Sequence, residues 1–425
     1  MNKNDRFPAF PLWISTILLM VLPLILSFFP SISGDELNGV SEDSLPEISF
    51  ANYLNGSLQA NADEQVRREI GLGNYWIRAY NELNYRLFRY TNAEKVVLGK
   101  EDCFYEEMYI TEYLGRNFIG EDLVREKVKA LKQLQDLLKT QYDVELLLIL
   151  EPGKASIYPE FIPARYHPEN KTISNFSAFI SACDSCKVDY LDLNSYFKQL
   201  KPTAPHKLYS KYGVHWSSYG LWLAADTLNH FIESKCDINL PEIIHVGDSN
   251  SMYNKDLDFD MEPSMNLLFP LPHEQMNFPI CTFNNNPAIH QKPRVFTIAD
   301  SYYWSIWNSG ISENLFSENL FWYYNRTVYP NIFVNIVWVD KSTLKETIEN
   351  HDIILLCITD ANLYDFGWGF IEEALTALDP NYKTAPKIQH LNQIMAEKET
   401  YQELLKQAER EQVPFFKILI REIGK

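Results

Sequence analysis

Basic side chains are scarce in this chain. Lysine and arginine number 38 against 56 aspartates and glutamates, a formal net charge of −18. A nucleic-acid or anionic-membrane partner calls for a basic face, and none is visible. The acidity suits an extracytoplasmic domain held in solution by its own charge. Long apolar runs are equally few, since only residues 8–32 reach membrane-spanning length. Cysteine is sparse too. Cys183-Asp-Ser-Cys186 has CxxC spacing, but no second CxxC accompanies it, which speaks against a zinc site and leaves a local disulfide or two free thiols. Sequence repeats and low-complexity tracts are missing, so solenoid and fibrous architectures drop out.

The single apolar run, PAFPLWISTILLMVLPLILSFFPSI, holds no charge and is long enough to cross a bilayer with some tilt. Lys3 and Arg6 precede it, and Asp35 and Glu36 follow it. The basic side stays in the cytoplasm, which places the rest of the chain outside. The expectation is one N-terminal transmembrane helix in the inner (cytoplasmic) membrane, with a periplasmic or extracytoplasmic main domain. A cleaved signal peptide is the alternative, with Ser31-Ile32-Ser33 offering small residues at the right offsets.

Hydrophobic residues make up 46% of the chain, enough for a sizeable core. Residues 34–50 are acidic and turn-rich and read as a linker. Residues 58–90 carry apolar positions at helical spacing, among them Ile70, Trp76, Ile77, Tyr80, Leu83 and Leu87. Residues 94–107 read as a hairpin. Glu121–Thr140 is amphipathic and predicts a helix. VELLLIL (144–150) is a continuous apolar run of strand length, the mark of a strand buried on both faces. KVDYLDL (187–193), VFTIA (295–299) and HDIILLCITD (351–360) read as further strands, with helices over Tyr219–Glu233, from Ser301 through Trp307 and over 370–378. Residues 380–393 read as a Pro-containing connection and Glu397–Glu411 as a last amphipathic helix. Strands alternating with helices predict an α/β fold with a parallel sheet flanked by helices. The organisation expected is a cytoplasmic tip and membrane span (1–33), a linker (34–57), the α/β domain (58–393) and a C-terminal helical segment (394–425).

Two short segments carry the chemistry. PRVFTIADSYYW (293–304) puts Ser301 where an apolar strand breaks into a helix, with Oγ exposed and backbone N–H groups beside it. LYSKYGVHWSSYG (208–220) puts His215 and Trp216 just before a helical pattern. A serine hydroxyl becomes a nucleophile when a base takes its proton, so the two read together as a Ser–His acyl-transfer site. The bland readings are an N-cap for Asp300 or Ser301 and a structural role for His215. Gly247-Asp248-Ser249 is a rival, but no helical periodicity follows it. The third member is not beside the histidine: position 213 is glycine, and no carboxylate follows before Asp226. The acceptor that orients the imidazole must be a backbone carbonyl, a distant Asp or Glu, or absent.

These segments, with VVLGKEDCFYEE (96–107), LEPGKASIYPEFIP (150–163) and HDIILLCITDANLY (351–364), resemble the AlgX/AlgJ family of alginate O-acetylation proteins, within the SGNH-hydrolase-like superfamily. The His-Trp segment precedes the serine segment, the circularly permuted motif order of that family. Where the family carries Asp-x-His-Trp this chain has Gly213, and where it commonly has Gly-Asp-Ser this chain has Ala299-Asp300-Ser301. The resemblance implies an SGNH-like sheet, Ser301 as acyl nucleophile and His215 as base, with no cofactor and no metal. It implies acetyl transfer to a cell-surface or exopolysaccharide, with a membrane-bound O-acyltransferase as acetyl donor, while the acidic balance argues against a nucleic-acid partner. The alternatives are an SGNH-type carbohydrate acetylesterase, which gives the acyl group to water, and a non-catalytic polysaccharide-binding or scaffold subunit, motivated by Gly213. Candidate binding residues around the pair are Asp300, Lys154, Trp216, Tyr324, Asn325, Arg326, Asp360 and Asn362. Each has a structural reading as a cap, a rim ion pair or core.

Overall fold

The structure is a computed structural model, and it describes residues 9–26, 35–39, 49–59, 72–252, 258–330 and 335–424. The chain divides into two compact units. One takes in Met1–Leu98 and Met261–Pro272, the other Gly99–Asp260 and His273–Lys425.

The smaller unit holds the helix Ala9–Leu26 and the helix Gly73–Leu83, which runs on through a π-turn at Asn84–Phe88. Ile70 and the Ser31-Ile32-Ser33 cleavage signal lie outside the described residues, as do both ends of the apolar run 8–32. Among the described residues no helix is long and apolar enough to cross a membrane. Strand β1 (Val96–Leu98) closes the unit, and β2 (Phe104–Glu106) opens the larger one.

The larger unit is built on one sheet. Its strands are β3 (Glu145–Glu151), β4 (Tyr190–Asp192), β7 (Arg294–Ala299), β8 (Glu318–Tyr323), β9 (Thr327–Val328) and β10 (Ile353–Thr359), and a separate ribbon pairs β5 (Glu242–Ser251) with β6 (Met276–Asn284). The six strands run in the order β4-β3-β10-β7-β8-β9. The first five pair in parallel, and β9 closes the edge antiparallel to β8. The apolar runs explain the centre. On β3, Leu146, Leu148 and Leu150 point to one face and Leu147 and Ile149 to the other, all buried. Each side chain so buried contributes about 1.5–3 kcal/mol. The helix Glu121–Leu137 lays Val124, Val128, Leu131 and Leu134 on the first of these faces, joined by Phe179 and Cys183 from Asn175–Cys186 and by Phe370 and Leu375 from Phe370–Leu378.

Several elements depart from the sequence reading. The strand expected over 187–193 shrinks to Tyr190–Asp192, because the Asp192 carboxylate accepts from Ser195 N at 2.8 Å and caps a helix at Leu193–Leu200. The connection expected over 380–393 contains a helix, Pro386–Ala396. Pro386 starts it, at the one helical position where proline costs nothing. A further helix, Phe415–Ile423, follows Lys398–Glu411. The Gly-Asp-Ser rival lies within β5, in an antiparallel ribbon rather than at a strand-to-helix turn. Cys183 and Cys186 lie on one helix, and all six cysteines are free thiols.

Candidate active site

The parallel strands β3, β10 and β7 end at Glu151, Thr359 and Ala299, and the loops beyond these carboxyl ends build the site. Ser301 stands two residues past β7. His215 stands on the irregular segment before the helix Ser218–Cys236, which Ser217 caps by accepting from Gly220 N at 3.0 Å. His215 Nε2 lies 2.8 Å from Ser301 Oγ. His215 Nδ1 lies 2.5 Å from Asp260 Oδ2. His215 is buried, and Ser301 is half-buried.

Asp260 is the residue that sequence reasoning did not name. It comes from outside the 208–220 segment, 45 residues downstream of His215, as one of the open possibilities required. Its second oxygen, Oδ1, accepts from Val214 N at 2.8 Å, so one carboxylate grips both the ring and the backbone beside it. The neighbours of Asp260 fasten the same segment. Asp258 Oδ1 accepts from Ser218 N at 3.2 Å, and the Asp258 carbonyl accepts from Ser210 Oγ. Between them the Phe259 ring is buried beside Tyr212 and stacks on His273. Val214 N and the ring can thus be held by a carboxylate that arrives through space, and Gly213 leaves no gap in the chain of bonds. With Asp260 accepting from Nδ1–H, Nε2 presents its lone pair to the Ser301 hydroxyl.

The serine and histidine segments are braced against each other. Trp216 Nε1 donates to Ser305 Oγ at 2.7 Å, and Tyr302 OH donates to the Val214 carbonyl at 2.8 Å. The Tyr302 ring lies 4.8 Å from the His215 ring and 5.0 Å from Trp216. Lys154 braces from beneath. Its Nζ donates to the carbonyls of Lys211 and Gly213, both at 2.8 Å, and burial lowers its pKa. Lys154 and Trp216, candidates for binding, are therefore positioning residues of the histidine segment.

Asp300, Asp360 and Asn362 serve the turn rather than a ligand. Asp300 is fully buried. Its Oδ1 accepts from Tyr302 N at 3.1 Å, and its Oδ2 accepts from Thr359 N at 2.9 Å, Asn362 Nδ2 at 2.7 Å and the Thr359 hydroxyl. The Ser301 turn after β7 is thereby tied to the end of β10. Asp360 accepts from Ser156 Oγ at 2.5 Å and Asn194 Nδ2 at 2.8 Å, and burial raises its pKa. The helix after Ser301 is only Tyr303–Asn308, and the Tyr302 N–H is committed to Asp300. Fewer free backbone N–H groups stand beside Ser301 than the sequence predicts.

Tyr324, Asn325 and Arg326 follow β8. Tyr324 N donates to the Ala299 carbonyl at 2.9 Å, and its ring stands edge-on to Trp368 at 5.2 Å. Asn325 is buried and spends its amide on the Trp368 carbonyl (3.0 Å) and Glu373 (2.9 Å). Arg326 donates to the Ala396 carbonyl at 3.0 Å. Asn325 and Arg326 line a cavity of about 910 Å³ together with Trp338, Trp368 and Asn392. Ser249, the rival nucleophile, pairs with Phe278 inside the ribbon.

Residues 96–242 match the family model described as an SGNH hydrolase-like domain, acetyltransferase AlgX. No curated protein matches the chain. Among solved structures, the O-acetyltransferase domain of Pseudomonas putida AlgJ is 18% identical over 63% of this chain and 92% of its own, with a TM-score of 0.43. Pseudomonas aeruginosa AlgX is 15% identical over 66% and 65%, with a TM-score of 0.41. Bacillus cereus PatB1, solved with a sulfonyl adduct, is 13% identical over 63% and 97%, with a TM-score of 0.42.

Proposed function

We propose that this protein, whose residues 96–242 match the model of the SGNH hydrolase-like acetyltransferase AlgX domain, is an O-acetyltransferase acting on a polysaccharide through an acetyl-serine at Ser301. The observation that carries the proposal is the unbroken chain of contacts from Asp260 through His215 to Ser301. Ser301 Oγ attacks the acetyl carbonyl carbon of the donor, and its proton passes to His215 Nε2. The imidazolium, held by Asp260, returns that proton to the leaving group as the donor's acyl bond breaks. A sugar hydroxyl then attacks the acetyl-serine, gives its proton to Nε2, and the proton moves on to Ser301 Oγ as the sugar ester leaves. Asp260 holds the Nδ1–H tautomer throughout.

The setting belongs to the same proposal. The uncharged run 8–32 with Lys3 and Arg6 before it supports a single-pass anchor with the main domain outside the cytoplasm. No acetyl-CoA is available there, so a membrane-bound O-acyltransferase is the donor that fits.

The test is transfer from a chromogenic acetyl ester to an oligosaccharide, with mass spectrometry of the sugar. Acetylated sugar is expected from the wild type and none from Ser301→Ala. Acetate released at the same rate with and without the sugar would instead make the protein an acetylesterase. An intact, folded wild type with neither turnover nor adduct would make it a scaffold subunit.

A further inference from the structure

The helix Gly73–Leu83 and the turn that extends it are built inside out. One face is polar and faces the protein. Asn74 Nδ2 donates to the Asp35 carbonyl at 3.1 Å, Asn81 Nδ2 to the carbonyls of Met265 and Asn266 at 3.3 Å, and Arg78 to the carbonyls of Glu36 (3.0 Å) and Leu267 (3.4 Å). Glu82 accepts from Phe269 N at 3.3 Å, and Tyr85 is buried on the same side. The other face is apolar and, among the described residues, exposed. Trp76, Tyr80, Leu83 and Leu87 recur at intervals of four, three and four, which sets them in one stripe. They are 52%, 60%, 52% and 65% exposed, and Phe88 beside them is 67% exposed. In a water-soluble helix the hydrogen-bonding face and the apolar face would be exchanged. A contiguous stripe of this kind marks a surface that something covers.

We infer that this stripe lies on the lipid bilayer, at the boundary between headgroups and acyl chains. This rests on the anchored reading proposed above. Three observations select lipid as the occupant. The stripe joins aliphatic residues to Trp76 and Tyr80, rings with an apolar body and a polar tip, the composition that settles at membrane interfaces. The compact unit that carries it also carries the uncharged run that supports the anchor. The chain as a whole is acidic, with a net charge of −18, so attraction to anionic headgroups is not what would hold it. The contact is made by apolar burial, works on zwitterionic lipid and is insensitive to salt. Its effect is to hold the smaller unit flat on the membrane from which the acetyl group is supplied.

The test uses the full chain in phosphatidylcholine vesicles, with the photoreactive residue benzoylphenylalanine placed singly at Tyr80, Leu87 or Tyr85. Illumination at low and at high salt should give phospholipid adducts at 80 and 87 in both, and only intrachain products at 85. Vesicle-bound protein without lipid adducts at 80 and 87 would overturn the inference and leave the anchor standing. Cross-links from 80 and 87 to a second copy, or adducts lost at high salt, would overturn it in the same way. Protein that does not float with the vesicles at all would remove the anchor and this inference together.

Discussion

The chain contains the dipeptide Asp-Ser twice in a strand context, and the two copies have different fates. Asp300-Ser301 follows a buried parallel strand. Its aspartate spends both oxygens on four donors, and its serine faces a histidine. Asp248-Ser249 sits within an antiparallel ribbon. Its aspartate is exposed to water beside His245 and Asn277, and its serine is one rung of the ladder opposite Phe278. The difference is topological. Where a parallel strand ends, the backbone turns away from the sheet, and other strand ends bring their own loops to the same place. Mid-ribbon, the backbone is committed to its neighbour and its side chains have only water or the next strand to meet. A nucleophile is made by what converges on it, and convergence happens at strand ends.

Substitutions can break this comparison. The largest expected effect is on chemistry. Ser301→Ala should lower acetyl transfer by about 10⁴- to 10⁶-fold, while Ser249→Ala leaves the rate unchanged. Initial rates with a chromogenic ester distinguish the two, and a large effect at Ser249 would reverse the assignment. Stability comes next. Asp300→Ala leaves Tyr302 N, Thr359 N and the Asn362 amide without their acceptor in a dry site, an expected loss of about 3 kcal/mol. Asp248→Ala should leave the unfolding midpoint at the wild-type value. Denaturant unfolding monitored by circular dichroism measures both.

Lys154→Met should slow transfer by about 10- to 100-fold, because the carbonyls of Lys211 and Gly213 lose the group that holds the histidine segment in line. A rate equal to wild type would show that Asp260 and Trp216 suffice. The smallest effect is one of pH. Glu112 accepts from Asn175 Nδ2 and Phe176 N, and burial raises its pKa from 4.5 to about 8. The folded form therefore holds a proton that the unfolded form has released, and this costs stability as pH rises from about 4.5 to about 8. Glu112→Gln should flatten the fall in melting temperature across that window. Asp248 has the opposite sign. Its pKa is lowered by hydrogen bonding to Asn277, so its small contribution is lost as pH falls through the acid range. Asp248→Asn should leave the window above pH 4.5 unchanged.

Much of this was legible in the chain before folding. β3, β7 and β10 announce themselves as unbroken apolar runs, and Ser301 follows from the end of one of them. His215 follows from its aromatic neighbour and the capped helix after it. Asp260 was not legible as an individual. It lies in an acid-rich stretch, DLDFDMEP, with no helical or strand period, and nothing local distinguishes it from Asp258 or Asp256. Its selection depends on Phe259 burying its ring and on the approach of residues 258–260 to residues 210–218, contacts that only the folded chain makes. Gly213 carried half of the signal, since it showed that the acceptor had to come from elsewhere. Three of the candidate binding residues show how a strand-end position alone can mislead. Asp300, Asp360 and Asn362 are polar residues at strand ends, where ligands bind, but they are buried and spent on one another's loops. The inside-out helix was read correctly as a helix, while the side that faces the protein is decided by Asn74, Arg78 and Asn81 and not by the apolar stripe.

The proposed acetyl transfer depends on Asp260 orienting His215 toward Ser301. The direct measurement is the rate at which Ser301 becomes acetylated by a chromogenic ester, followed by intact-protein mass spectrometry with peptide mapping, in the wild type and in Asp260→Asn. Asparagine keeps the shape but can turn an amide toward Nδ1 and favour the wrong tautomer. The expected result is an acetyl group on Ser301 in the wild type and acylation slower by about 10²- to 10⁴-fold in Asp260→Asn. Equal rates in the two proteins, or an acetyl group mapped to any residue other than Ser301, would contradict it.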